Sequence, residues 1–322
     1  MSRSSELSCP TAVVHLEYDV ADPPPRPEGK NSTRFICLSD THSHTFPVPA
    51  GDVLLHSGDL TGTGTLEGFE TTMEWLYSLP HKHKIIIAGN HDLSLHDEWY
   101  KQNFFRWSRG GHDKQAKLSR IMDLLEGRKA KKAGIVYLED ESYAFECNGR
   151  TWSVYGSPWT PYFYNWAFNY CRSGREEPGC SYKATDIVSK YPKTDILLTH
   201  GPPQGVLDRT LTQMNVGCEL LAERLQDLRP KIHLFGHIHE AHGAQIHAWK
   251  GDEERGGVSD GPIPGAYPDD GSCPTAERTI FVNGANWPMG GGTRDDTGRR
   301  VGMGEGRFCP VIIDLFHESG EL

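Results

Sequence analysis

No stretch of this chain could cross a membrane as a helix: its apolar runs stop at about four to six residues, where a span needs roughly 20. The opening residues, Met1-Ser2-Arg3-Ser4-Ser5-Glu6-Leu7, lack the apolar core of a secretory leader. A secreted protein is therefore not expected, and a cytoplasmic or nuclear one is. The eight cysteines (Cys9, Cys37, Cys147, Cys171, Cys180, Cys218, Cys273, Cys309) include no C-x-x-C pair. That removes the usual zinc-knuckle and dithiol signatures. Inside a cell they are expected as thiols, and only Cys171 and Cys180 stand near enough in sequence to suggest a pair. Basic blocks are missing too, with 33 Lys and Arg against 43 Asp and Glu and a formal net charge of −10. Neither a long nucleic acid nor a membrane is expected as a partner. A small phosphate ester stays open, because bound divalent ions would dominate the local field. Internal repeats are absent, and the oligomeric state is not legible.

What is present is an ordinary soluble composition, 37% hydrophobic and 24% charged over 322 residues. Residues 1–34 carry Pro23-Pro24-Pro25-Arg26-Pro27, which suits neither a helix nor a central strand, so they are expected as an arm lying over the surface. From residue 35 to 322 a single domain is expected. Leu66, Phe69, Met73, Leu76 and Leu79 recur at helical spacing and Pro80 ends the pattern; Leu220, Leu221, Leu225 and Leu228 do the same before Pro230. Alternating strands and helices predict a layered α/β domain. Between Asp59 and Asn90 there is room for one helical crossover joining parallel strands. Residues 135–155 alternate apolar and polar side chains and predict hairpin strands. Residues 251–277 and 288–306, rich in Gly with Pro, Asp or Arg, are expected as long loop insertions. A last strand is expected at Val311-Ile312-Ile313-Asp314-Leu315.

Five polar clusters recur in order along this frame: Asp40-Thr41-His42, Gly58-Asp59, Gly89-Asn90-His91-Asp92, His200, and Gly236-His237-Ile238-His239. Four of them directly follow apolar runs (Phe35 to Leu38, Ile85 to Ala88, Ile196 to Thr199, Ile232 to Phe235). Asp59 comes shortly after Val53-Leu54-Leu55. Ligands of open α/β sheets bind beyond the carboxyl ends of the strands, so these groups are expected to converge. Asp40, His42, Asp59, Asn90, His200, His237 and His239 offer mixed oxygen and nitrogen donors without thiolate, a set suited to Mn²⁺, Fe²⁺ or Zn²⁺. Divided as Asp40, His42, Asp59 and His239 on one ion, and Asp59, Asn90, His200 and His237 on a second, they would make a two-metal hydrolytic centre with Asp59 bridging.

The series D-x-H, G-D, G-N-H-D, H-G, G-H-x-H resembles the calcineurin-like metallophosphoesterase superfamily over roughly residues 35–315. The segments Tyr155-Gly156-Ser157-Pro158-Trp159, Asn165-Trp166-Ala167-Phe168-Asn169 and Phe281-Val282-Asn283-Gly284-Ala285 are similar to its metallophosphoesterase-domain-containing branch. The resemblance implies a two-sheet β-sandwich flanked by helices, four layers α/β/β/α, with two metals at its edge and the ligand division above. It also implies that His91 sits near the leaving group. Some animal members of that branch lack the first histidine of G-H-x-H, whereas this chain keeps His237.

The expected reaction is hydrolysis of a small phosphodiester or phosphomonoester, with cyclic nucleotides suggested by the branch, through in-line attack of a metal-bridging hydroxide. Asp92 is expected either to orient His91 or to act as a surface cap. The aromatic run from Trp159 to Tyr170 predicts a pocket wall, with Trp159 and Asn165 contacting substrate beside Asn90 and His91. Arg294, Arg299, Arg300 and Arg307 are expected in a solvated loop. Two other classes compete: the same dimetal site turned on a non-phosphate or specialised substrate, and a metal-free binding scaffold. The complete ligand set counts against the scaffold.

Overall fold

The computed structural model describes residues 6–29, 31–107, 118–172, 177, 180–251, 263–269, 271, 273, 275–286 and 309–317. Its strands in chain order are β1 (Glu6–Cys9), β2 (Ala12–His15), β3 (Ser32–Leu38), β4 (Val53–His56), β5 (His83–Ile87), β6 (Ile135–Leu138), β7 (Glu141–Cys147), β8 (Arg150–Ser157), β9 (Thr160–Pro161), β10 (Asn169–Tyr170), β11 (Ile196–Thr199), β12 (Ile232–Phe235), β13 (Gly243–Trp249), β14 (Ala266–Pro268), β15 (Arg278–Asn283) and β16 (Val311–Phe316). The α-helices are α1 (Leu66–Ser78), α2 (Asp97–Asn103), α3 (Leu118–Glu126), α4 (Arg128–Lys132), α5 (Ala184–Val188) and α6 (Glu219–Leu228).

Two seven-stranded mixed sheets result, ordered β1-β2-β16-β3-β4-β5-β6 and β14-β13-β15-β12-β11-β8-β7, with β9 and β10 as a separate small pair. The period-two geometry of a strand explains the layering. Phe35 and Cys37 of β3 pack between the sheets with Ile196, Leu198, Ile232 and Leu234. Their neighbours Ile36 and Leu38 join the outer core with Phe69, Met73 and Leu76 of α1. Strands buried on both faces must be apolar throughout, which is why these runs do not alternate in sequence.

Helix α1 starts where the Thr65 hydroxyl accepts the Gly68 N–H at 3.1 Å. It stops at Pro80 after burying Phe69, Met73 and Leu76, each worth about 1.5–3 kcal/mol. It forms the crossover between β4 and β5, which run parallel and adjacent. Helix α6 buries Leu221, Leu225 and Leu228 and ends at Arg229 in the left-handed region (φ 41°), just before Pro230. Parallel pairing of β3, β4 and β5 in one sheet, and of β11 and β12 in the other, turns all their carboxyl ends to one edge. Ser57 closes that edge: its hydroxyl lies 2.6 Å from the Thr199 carbonyl and 3.0 Å from the Leu234 carbonyl across the sandwich.

Four expectations are corrected. Within the expected surface arm, residues 6–15 form the β1–β2 hairpin, and β2 pairs with β16 in the first sheet. Ala12 and Val14 are fully buried there, a short alternation that the proline cluster after it overshadowed. The Pro-rich stretch itself receives the guanidinium of Arg34 on the carbonyls of Pro24 and Pro25. Of residues 135–155, only β7 and β8 form a hairpin; β6 pairs parallel with β5 in the other sheet. Inside the expected loop 251–277, β14 pairs with β13. Finally Cys171 and Cys180, expected as thiols, form a disulfide across nine residues, their Cα atoms 6.0 Å apart, within the reach of a bridge. The 288–306 segment, with Arg294, Arg299 and Arg300, lies outside the described residues, as does Arg307.

Arg34 grips Asp314 of β16 with two parallel bonds of 2.8 and 2.7 Å, and the Asp314 side chain is wholly buried. Arg34→Ala would leave the buried Asp314 carboxylate with only the His15 ring, 3.8 Å away, so a loss of about 3 kcal/mol in urea unfolding is expected.

Candidate metal centre

All five polar clusters reach the shared edge. Asp40 and His42 follow β3, Asp59 follows β4, Asn90 follows β5, His200 follows β11, and His237 and His239 follow β12. The backbone there is held in a costly shape. Asp40 (φ 55°), His42 (φ 45°), Asp59 (φ 54°) and His237 (φ 68°) all occupy the left-handed region, at roughly 1–3 kcal/mol each for residues other than glycine. Gly236 is required for a different reason: a Cβ at that position would run into the Asp40 carboxylate and the Ser39 hydroxyl.

The side chains converge on the carboxylates. His239 Nε2 lies 3.2 Å from Asp40 Oδ1, and His42 Nε2 lies 3.9 Å from the same oxygen. Asp59 faces two ways, with Oδ2 3.7 Å from His42 Nε2 and Oδ1 3.5 Å from His200 Nε2. Asn90 Oδ1 is 2.9 Å from His200 Nε2. Three overlapping groups, Asp40/His42/His239, His42/Asp59/His91 and Asp40/Asp59/His200, have donor atoms within 4.8 Å of one another. His237 belongs to none of these groups; its ring centroid lies 5.2 Å from that of His200, and its backbone N–H donates to Asp40 at 3.0 Å.

Does this arrangement fit metal ions? The Nδ1 of His200 meets the Ser57 carbonyl at 2.9 Å, and that of His239 meets the Asn286 carbonyl at 2.9 Å. A carbonyl only accepts, so each Nδ1 carries the proton and each Nε2 presents a lone pair. The His200 lone pair points at the Asn90 and Asp59 oxygens, acceptors that a cation between them would satisfy; on His239 the Asp40 carboxylate raises the pKa against burial, so a cation there would take the place of a proton. Neither ring nitrogen of buried His42 makes a hydrogen bond. Electrostatics agree. Burial, with neighbouring Asp40 and Asp92, pushes the Asp59 carboxyl well above its usual range. Burial also drives His42 and His237 well below theirs and lowers His200, keeping those rings neutral as ligation requires. Asp40 stays ionised: burial opposes it, but His239, whose own pKa the Asp40 carboxylate raises, holds the Asp40 pKa well below the ordinary value. The donor set therefore fits divalent ions.

Beside these groups opens a pocket lined by Asp59, Asn90, His91, His237 and His239 on its inner side, with Tyr162, Phe163, Arg172 and Glu240 among the rest. Residues 33–241 match the family model of calcineurin-like phosphoesterases. The chain belongs to that family. It is 38% identical over 238 residues to metallophosphoesterase domain-containing protein 1 of Homo sapiens, an alignment covering 71% of this chain and 67% of that protein. The Mus musculus protein of the same name gives the same values. Among solved structures, a phosphopantetheinyl hydrolase from Mycobacterium tuberculosis aligns over 80% of this chain and 90% of its own, at 13% identity and a TM-score of 0.42. Membership in a family of phosphoesterases, together with the clustered donors, supports a metal-dependent phosphoesterase.

Three other expected site residues are placed differently. Asp92 neither touches the His91 ring nor caps the surface. It is fully buried, and its carboxylate accepts the N–H of Leu60 (3.0 Å), Thr61 (2.8 Å) and Gly89 (2.9 Å) and the Thr61 hydroxyl (2.8 Å). It thus ties the loop carrying Asp59 to the loop carrying Asn90. Trp159 is buried against Phe168 and Tyr182, with its indole N–H on Asp140 at 2.7 Å, and does not line the pocket. Asn165 accepts from the Trp99 indole at 3.1 Å and also lies off the pocket. The pocket-facing aromatics are their neighbours Tyr162 and Phe163. Sequence reasoning missed Arg172, an isolated arginine in no motif, and Glu240, which directly follows His239.

Asp92→Ala would leave three buried N–H groups unpaired and let the two ligand loops part. A loss of about 3–5 kcal/mol in urea unfolding is expected, with weakened metal binding by titration calorimetry.

Proposed function

We propose that this protein is a two-metal phosphoesterase hydrolysing a small phosphodiester or phosphomonoester, with cyclic nucleotides among the candidates. The observation that carries the proposal is Asp59, whose two carboxylate oxygens face different histidines, His42 and His200, as a bridging ligand would. Asp40, His42, Asp59 and His239 would hold one ion, and Asp59, Asn90, His200 and His237 the other, with Mn²⁺, Fe²⁺ or Zn²⁺ suited to the donors. Such ions supply Lewis acidity toward phosphoryl oxygens and a coordinated water acidic enough to serve as nucleophile near neutral pH.

The chain's own groups do the positioning. His91 Nδ1 lies 2.7 Å from the Gly62 carbonyl and donates its proton there, so Nε2 would serve a departing alkoxide or a developing oxyanion only after taking up a second proton. An anionic ester beside the ring favours that uptake, and burial, holding the ring's pKa down at about 4, opposes it. Its backbone N–H, 2.7 Å from Asp59 Oδ1, locks the Asn90–His91 turn to the carboxylate. Arg172, on the pocket wall, is the one cation there among the described residues and is paired with Glu219 and the Val216 carbonyl, so an anionic ester would meet it in competition with those partners. Tyr162 and Phe163 offer ring surface to a flat leaving group. The pocket, about 410 Å³, has room for a small ester. No helix among the described residues is long and apolar enough to span a membrane.

Purified protein loaded with Mn²⁺ is expected to hydrolyse bis-p-nitrophenyl phosphate or its monoester, to lose that activity to chelator, and to regain it on reloading. A metal-replete protein that turns over neither, nor any cyclic nucleotide, would overturn the proposal. Elemental analysis of Asp59→Ala is expected to show both ions lost. His91→Ala is expected to keep its metal while turnover falls about 100-fold or more.

A further inference from the structure

The aromatic run between Trp159 and Tyr170 contributes Pro161, Tyr162 and Phe163 to the pocket, yet its most constrained part lies just beyond them. Tyr164 (φ 47°), Asn165 (φ 49°) and Phe168 (φ 51°) all sit in the left-handed region within five residues. Strain of that density persists only where surrounding contacts over-determine it. Asn169 Oδ1 accepts both the Phe163 and the Trp166 N–H, each at 3.1 Å. The Trp99 indole and the Arg106 guanidinium hold Asn165 and Tyr164 from outside. His96 Nδ1 takes the Phe168 N–H at 3.0 Å.

All this fixes one half-buried position of the loop, Trp166. The Trp166 indole stacks on His91, ring centroids 4.1 Å apart and planes 29° from parallel. Behind it stands Trp107 at 4.9 Å, and behind that Trp99 at 5.4 Å. His42 closes the other approach, edge-on to His91 at 4.6 Å. A hydrogen bond at Nδ1 alone leaves an imidazole free to tilt about that bond; a ring against its face does not.

We propose that Trp166 is a positioning residue for His91: the strained loop of residues 163–169 presses its indole against the imidazole, so that Nε2 is held in one direction toward the pocket. The role rests on His91 acting at the reacting phosphoryl group, as set out above. Trp166 itself brings no acid, base or ligand. Its contribution is orientation, which a reaction feels in turnover more than in substrate binding.

A double-mutant cycle on the Mn²⁺-loaded protein, with bis-p-nitrophenyl phosphate as substrate, tests this. Trp166→Leu keeps most of the bulk and removes the ring; it is expected to lower kcat about tenfold to a hundredfold, with KM little changed and metal content unaltered. Trp166→Phe is expected to restore kcat to within about threefold of the native protein. In the His91→Ala background, Trp166→Leu is expected to change kcat by less than about twofold. An equal loss in both backgrounds, or no loss in either, would overturn the proposal. If His91→Ala itself retains full turnover, the role given to His91 fails instead. A readout without any variant is the NMR spectrum of zinc-loaded protein, where the Trp166 ring current is expected to shift the His91 ring protons upfield. Unshifted resonances would overturn the stack even if the leucine variant proved unable to fold.

Discussion

Two carboxylates buried side by side, Asp40 and Asp59, are the constraint on which the rest of this molecule is arranged. Placed there without compensation, they would repel one another and forfeit their hydration, a cost of several kcal/mol per charge. Every neighbouring feature reads as an answer to that cost. Imidazoles supply nitrogen donors, the Ser57 and Asn286 carbonyls fix the tautomers of His200 and His239, and glycine at 236 makes room for the Asp40 carboxylate to sit against the backbone. A cation held by the two acids would complete the set, so the fold and the chemistry are one problem rather than two.

Holding such a cluster demands stiffness, and the stiffness comes from buried hydrogen bonds between loops more than from the strands. Asp92 bonds two ligand loops together, and Ser57 joins the two sheets at the edge where those loops emerge. Left-handed backbone at four of the candidate ligands costs free energy that these bonds offset. The same trade recurs one step out, in the strained aromatic loop beside His91. Strain is concentrated near the site, while α1 and α6 are ordinary amphipathic helices.

Much of this was legible from residues alone, and the reasons differ by element. The stripes of α1 and α6 and the apolar runs of β3, β5, β11 and β12 could be read because each buries a face set by its own period. The polar groups at the strand ends could be read because a parallel sheet sends successive carboxyl ends the same way. What could not be read were pairings without a local signal. The β1–β2 hairpin is recognisable only once β16, some three hundred residues away, is beside it. Sheet membership of β6 depends on a partner and not on its own alternation, which is the same in either sheet. Within the site, chemistry was more visible than direction. Asp92 stands next to His91 in sequence, yet its side chain turns inward to backbone N–H groups, and Trp159 turns into the core while Trp166 turns to the histidine. Residue type told what these groups could do; only the backbone conformation told toward what.

The central claim is that the paired acids hold two ions with Asp59 between them. Anomalous scattering from crystals of the metal-loaded protein, collected at the absorption edge of the ion supplied, tests it most directly. The account predicts two peaks flanking the Asp59 carboxylate, one toward Asp40 and His239 and the other toward Asn90 and His200. A single peak that Asp59 does not share, or none at full loading, would contradict it.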